Sequence, residues 1–533
     1  MFPPCSALVA LLVLLASPRR ATAQGGTHQH DAVSTSPGST ARLGTISFPT
    51  SAPPAAQAKF IEGVLYMHSF EYADARAAFR DAERLAPTFA LAYWGEAMTL
   101  HHPVWNQQER DSARTILARL APTAAARAAL APTPREKAWL HAAEVLYGEG
   151  SKARRDTLWL REMQRMAAAY PEDDEVQVFT ALAWLGLNQG VRSVPDYMRA
   201  GAIAQRIFER SPRHPGAAHF VIHSFDDPTH AVLGLRAARA YSGIAPTAAH
   251  AQHMTTHIFL ALGMWEESNA LNTIALEASN GLSGHYLSWL AYGYQQQGRF
   301  RAAGELLDSA QARTAAGRAR LARAVAQVRA AQVLASNAWS SPLLGGLLDS
   351  TAGGYARALN AFTVGIAASN RGDSSLARTA WRRLGAVREA IAGTDADAVI
   401  EREQVRVMER LLDASIAAHG GMLARGVEFA RAAAELHDSL PVEFGPPAIP
   451  LPPYEALGEL LLASGRAADA QRAFATALDR NPGRSSALDG LVRAATAVGD
   501  PAVATEARAA LDRNWRQADA RGAPARAGSP VPR

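Results

Sequence analysis

The chain has 533 residues, too many for one small core and enough for several domains or one extended repeat array. Apolar residues make up 48% but aromatics only 7%, so the apolar content is mostly Ala, Leu and Val, which suits closely packed helices and excludes an all-β fold as an expectation. Basic residues number 54 against 49 acidic, and only Lys59, Lys137 and Lys152 are lysines; the remaining arginines are spread along the chain, so no nucleic-acid stripe and no nucleic-acid partner are expected.

At the N-terminus an apolar run from Ala7 to Ala16 is followed by Ala21-Thr22-Ala23, the small-residue pattern of a signal-peptidase site. Residues 1–23 are therefore predicted to be a signal peptide, and the protein to be exported, periplasmic or secreted. The run is too short to span a bilayer, since about 20 apolar residues are needed, and no transmembrane segment is expected in the mature chain. Cleavage before Gln24 removes Cys5, the single cysteine, and so removes disulfides, thiolate metal sites and Cys nucleophiles from consideration. Residues 24–54, which include His28 and His30, are polar and rich in Gly, Ser, Thr and Pro, and are expected to be a disordered linker. Residues 513–533 are expected to be a disordered tail.

Between these ends a period of 34 residues recurs. The segment from Ala56 to Phe89 carries Gly63, Tyr66, Ala75, Phe79, Ala82 and Pro87: small residues where two helices cross, an aromatic that fills between them, and a proline that stops the second helix. Pro212 and Pro246 are 34 apart and imply units beginning at Pro215 and Ala249; further units begin near Ala90, Gly284 and Ala358. The segment from Leu451 to Arg484 repeats the marks with Tyr454, Gly458, Gly465, Ala470, Phe474, Ala477 and Pro482. Helices around 134–148, 314–337 and 400–419 fall outside the register, and Phe444 to Pro450 reads as a loop.

These marks resemble those of tetratricopeptide-repeat (TPR) proteins. Tyr93 to Met98, His101 to Trp105, His219 to His223 with Asp226-Asp227-Pro228, and His253 to Phe259 further resemble a group of uncharacterised exported bacterial TPR proteins. The resemblance implies an all-α fold over residues 55–512, an α-solenoid built as a right-handed superhelix of TPR-type helical hairpins, and a binding or scaffolding role. It also implies that places 2, 5, 9, 12 and 13 of each unit line the concave surface.

In the Pro215 unit those places hold Gly216, His219, His223, Asp226 and Asp227; in the Ala249 unit they include His250, His253 and His257. Seven of the 16 histidines fall between His214 and His257, where an even spread would place about 1.3. Histidines spaced i, i+4 can chelate one divalent ion. His219, His223, His253 and His257, with Asp226, Asp227 or His230, therefore form a candidate all-N/O site for zinc, copper or nickel. The competing reading is a polar seam in which these groups only bond to one another.

The Ala90 unit places Trp94, Met98, His101 and His102 toward the groove, with Trp105 just beyond; at the other end stand Glu455, Glu459 and Arg484. With His250 these are the candidate groove residues for a peptide, protein or small ligand. Two functions follow: an exported scaffold whose partner is a protein or peptide, or a metal-binding protein or metal-dependent enzyme of hydrolase type. No H-E-x-x-H, Walker loop or G-x-S-x-G is present to name a reaction.

Overall fold

Small residues at fixed places let helices cross closely, and in the first and last well-marked units a phenylalanine fills the crossing. In the first unit Phe79 lies between Gly63 and Gly95; a Cβ on either would come within 2.6 and 2.4 Å of its ring. Phe474 sits in the same way between Gly458 and Gly490. Burying such a ring contributes about 1.5–3 kcal/mol, so these two units are each stapled to the next by a side chain that only glycine admits.

Repeating this device produces the architecture of the computed structural model, which describes residues 42–187, 192–313 and 315–519. Among the described residues there are 24 α-helices and a single two-residue β-ladder. Twenty-two of the helices pack as pairs of neighbours in sequence, an all-α solenoid of helical hairpins. The helices Pro215–Phe225, Ala249–Ala261 and Gly284–Gln296 begin where the period places the units. The out-of-register segments are the helices Pro134–Leu146, Ala315–Ser336 and Ala396–His419. No helix of the described residues is long and apolar enough to cross a membrane.

The solenoid winds until its parts meet. Helix Pro54–His68 touches helix Pro215–Phe225. Farther on, the Trp265 indole donates to the Gly483 carbonyl (3.1 Å), the Ser485 hydroxyl donates to the Gln296 carbonyl (2.6 Å), and the Asp519 amide donates to the Gly298 carbonyl (3.1 Å). The inner helices consequently bury side chains where an open groove was expected; helix Ala249–Ala261 is buried on every residue.

Three expectations need correction. Residues 42–53, placed in the linker, run along the first units: Phe48 is buried against Phe60, Trp94 and Trp139, and the Thr45 amide donates to the Arg213 carbonyl. Their polar composition hid two buried anchors, Leu43 and Phe48. Residues 513–519, placed in the tail, continue helix Pro501–Asn514 and dock against Gly298. His101 and His102 are not on a helix face, because helix Ala90–Met98 ends early and they pair with Gln108 and Gln107 in the β-ladder. Pro103 drives this, since the residue before proline is turned toward extended backbone. The signal-peptide, Cys5, His28 and His30 readings lie outside the described residues.

Candidate metal centre

The helix Pro215–Phe225 presents His219 and His223 one turn apart, and Ala249–Ala261 presents His250, His253 and His257 beside them. All five are buried, His219 and His253 completely. Their nitrogens fall into two close groups, His219 with His223 and His250, and His253 with His257 and His285. His285 stands on the next inner helix, Gly284–Gln296.

The hydrogen bonds on the far side of each ring fix where the protons are. His219 Nδ1 lies 2.7 Å from the His68 carbonyl, which can only accept, so Nδ1 carries the proton and Nε2 a bare lone pair. His257 Nδ1 lies 3.0 Å from Asp226 Oδ2, with the same consequence. His253 Nδ1 donates to Asn272 Oδ1 at 2.8 Å. The Nε2 atoms of His253 and His257 then face each other at 3.0 Å, lone pair to lone pair, and His219 Nε2 lies 3.2 Å from His250 Nε2. His223 Nε2 is buried with no hydrogen-bond partner.

The His219–His250 contact is met by a neutral His250 whose Nε2–H donates to His219 Nε2, but for His253 and His257, whose Nδ1 atoms both face acceptor oxygens, a proton between the Nε2 atoms would require a charged imidazolium. Burial, and then the neighbouring His223, hold His219 well below the ordinary imidazole value, and burial lowers His257 despite Asp226. Neutral imidazoles whose outer N–H is engaged by a carboxylate, carbonyl or amide oxygen are oriented as metal ligands are.

The outer layer is built from the same units. Asp226 and Asp227 follow the end of helix Pro215–Phe225, which Pro228 prevents from continuing. Burial raises the Asp226 carboxyl, but the Arg192 guanidinium, then His223 and His257, outweigh it and hold it well below the carboxylate range. Arg192 also reaches Asp227 (3.1 Å), which accepts the Thr229 and His230 amides and faces His230 Nδ1 (2.8 Å). Asp226, Asp227 and His230 were expected to complete the ligand set, but they lie outside the two close histidine groups: Asp226 is engaged by Arg192 and His257, and Asp227 by Arg192 and His230.

Phe70 and Trp289 enclose the two groups. Phe70 occupies the inter-helix turn where later units have Gly263, Gly298, Gly372 and Gly465, and like them it has positive φ, 56°. That conformation costs a bulky residue about 1–2 kcal/mol. Its ring lies 4.3 Å from His219, 5.7 Å from His223 and 5.4 Å from His250, centroid to centroid. Trp289 stacks on His257 at 4.3 Å, and Phe444, in the loop expected at 444–450, stacks on the same ring at 6.0 Å.

A third cluster, His68, Glu175 and His214, is of another kind. The Ala217 amide donates to His214 Nδ1, so His214 Nε2 carries a proton and points toward Glu175 Oε1 (3.4 Å). His68 Nε2 lies 2.8 Å from Glu175 Oε2. Glu175 Oε2 is held by His68 Nε2, whereas Glu175 Oε1 and His214 Nε2, 3.4 Å apart, make no hydrogen bond; the cluster sits at the end of helix Pro54–His68, whose His68 carbonyl orients His219.

The groove residues are distributed differently from the expectation. Trp94 and Met98 are core, Trp94 packing on Trp139 and Phe179. His101 is buried against Trp159, while His102 stacks on Tyr72 at 4.0 Å. Half-buried Trp105 packs edge-on against Phe70 and His250. Arg484 pairs with Glu455, both buried, and donates to Tyr292 Oη (3.2 Å); Arg493 takes Glu459 (3.0 Å). Each of these charges is paired within the protein.

Sequence reasoning missed His68, Glu175, His285 and Phe70. Reading place 2 of the Gly284 unit, already in the register, would have found His285. A phenylalanine at a glycine turn place was also visible.

No protein-family model matches the chain, and no curated protein matches it. Among solved structures the chain is similar to one in the APC/C hetero-tetramer Cut9-Hcn1, at 10% identity over 87% of this chain and 74% of that one, with a TM-score of 0.31. It is similar to human IFIT1, in a dimer with m7Gppp-AAAA, at 14% identity over 88% and 91%, TM-score 0.32. It is similar to yeast Tom70 at 11% identity over 86% and 91%, TM-score 0.28.

Proposed function

We propose that this is an exported helical-repeat protein that uses the buried histidines at the meeting of its inner helices to hold a divalent transition metal, zinc, copper or nickel. The observation that carries the reading is the facing pair His253 Nε2 and His257 Nε2, 3.0 Å apart, each with its Nδ1 proton given to an outer oxygen. Two inward lone pairs in a buried site repel unless a cation lies between them. Imidazole suits these three metals, and such a set needs no thiolate.

The test is metal analysis of untagged protein purified from its host, together with the chelator-treated protein reloaded with zinc alone. Bound metal that survives desalting supports the reading. Protein that takes up none under either condition refutes it and leaves a hydrogen-bonded seam.

A scaffold role for a protein or peptide partner draws support from a different face. Val232 and Leu233 stand exposed side by side on the outer helix Ala231–Ile244. In that reading the partner meets the outside of the solenoid, since the inner face carries the histidines. Alanine at both positions, with unchanged metal content and lost capture of a partner, would separate the two roles.

A further inference from the structure

The two histidine groups are the same site made twice. The first consists of places 5 and 9 of the Pro215 unit, His219 and His223, with place 2 of the next unit, His250. The second consists of places 5 and 9 of the Ala249 unit, His253 and His257, with place 2 of the unit after it, His285. The internal spacings agree. Ring centroids are 4.8 and 4.9 Å apart between places 5 and 9, 5.0 and 4.5 Å between place 5 and the following place 2, and 6.5 and 6.1 Å between place 9 and that place 2.

The outer contacts repeat as well. Each place-5 ring gives its Nδ1 proton to a neutral oxygen, the His68 carbonyl in one case and the Asn272 amide in the other. Each place-9 ring turns Nδ1 toward one shared carboxylate oxygen, Asp226 Oδ2, at 3.8 Å for His223 and 3.0 Å for His257. Each group has one aromatic ring against all three of its imidazoles: Phe70 on the first, and Trp289 on the second at 5.0, 4.3 and 5.2 Å. Repeat geometry by itself reproduces the ring spacings, but the proton acceptors and the aromatic walls come from non-equivalent places, Phe70 from a turn and Trp289 from an inner helix, so the surroundings of the imidazoles recur as well as their spacing.

We infer that the protein binds two transition-metal ions, one in each three-imidazole site, adjacent along the solenoid axis and joined through Asp226. The inference rests on the metal-binding reading above. Three imidazoles leave a four-coordinate ion one position for water or a substrate atom, the pattern of reactive rather than purely structural sites. The nearest rings of the two groups, His223 with His257 and His250 with His253, are 6.0 and 6.4 Å apart, so the ions would occupy adjacent but separate buried ligand sets.

The experiment is stoichiometry on the full chain, stripped with chelator, reloaded with zinc alone and separately with copper(II) alone, desalted, and measured by mass spectrometry of the elements against amino-acid analysis. Two ions per chain are expected. The double variant His219→Ala, His223→Ala and the double variant His253→Ala, His257→Ala should each retain one, with helical content by circular dichroism showing that the chain remains folded. One ion in the parent protein overturns the two-site inference while leaving the metal reading intact. Two ions in the parent and in both double variants also overturns it, since the metal would then be adventitious. No ion at all fails the metal reading itself. Should a double variant unfold, the parent stoichiometry alone still decides between one site and two.

Discussion

Asp226→Asn tests the proton logic of the centre with almost no change of shape. In the native protein the Asp226 carboxylate accepts from Arg192 through Oδ1 and from His257 Nδ1 through Oδ2, the latter at 3.0 Å. Asparagine keeps one acceptor, which the always-protonated Arg192 takes, and so turns its NH2 toward His257. A donor facing Nδ1 forces the imidazole proton to the other nitrogen, and His257 Nε2 changes from lone pair to N–H. That removes one of three ligands from the second site and weakens the support of His223 in the first. Loss of such an outer partner costs about 10–100-fold in metal affinity, or about 1.4–2.7 kcal/mol by the constant that equates tenfold with 1.36 kcal/mol. Arg192 keeps its contact with Asp227 at 3.1 Å, so the fold should survive. Competition for zinc against a chromogenic chelator reads the affinity, and a thermal melt of the metal-free chain reads the fold. Affinity equal to the parent's, in a folded variant, would refute the argument that Asp226 sets the tautomer of a ligand.

Gly63→Leu places a branched side chain where a Cβ alone would stand 2.6 Å from Phe79 Cε1; overpacking of this kind costs about 1–3 kcal/mol, and an unchanged melting temperature would count against the repeat register. His437 is held down to about 4 by burial and then by Arg480, with Asp438 partly opposing. A base with a lowered folded value contributes full stability above its unfolded value near 6.5 and loses it as pH falls toward 4. Chemical denaturation at pH 7 and pH 5 should therefore show a loss in the parent about 1–2 kcal/mol larger than in His437→Gln, and equal losses would rule out that role. Intact-mass measurement on protein from its host should find a chain beginning near Gln24, outside the cytoplasm; Met1 retained on a cytoplasmic form would defeat the export expectation.

The helical period was open to direct reading because it is a local constraint. Gly63, Phe79 and Pro87 act within one unit, and Pro212 and Pro246 fix where inner helices begin, so the helices at Pro215, Ala249 and Gly284 follow from spacing alone. The same register placed His219, His223, His253 and His257 on one face, because side chains four apart on a helix share a face whatever surrounds them. What it could not supply was the environment of that face. Whether the concave side is an open groove depends on how far the superhelix winds, which sums small rotations over many hairpins and is closed by contacts between residues such as Trp265 and Gly483. That closure helps bury the Glu455–Arg484 pair, whose arginine reaches Tyr292, while Trp94 is core because Phe48, Phe60, Trp139 and Phe179 pack on it. Asp226 was read as a ligand because it is an acid near histidines. Only the tertiary structure shows it engaged by Arg192 and His257, outside the two close histidine groups. The proton positions that distinguish a metal site from a seam were likewise beyond the sequence, since they depend on the His68 carbonyl and Asn272, brought beside His219 and His253 by packing between helices.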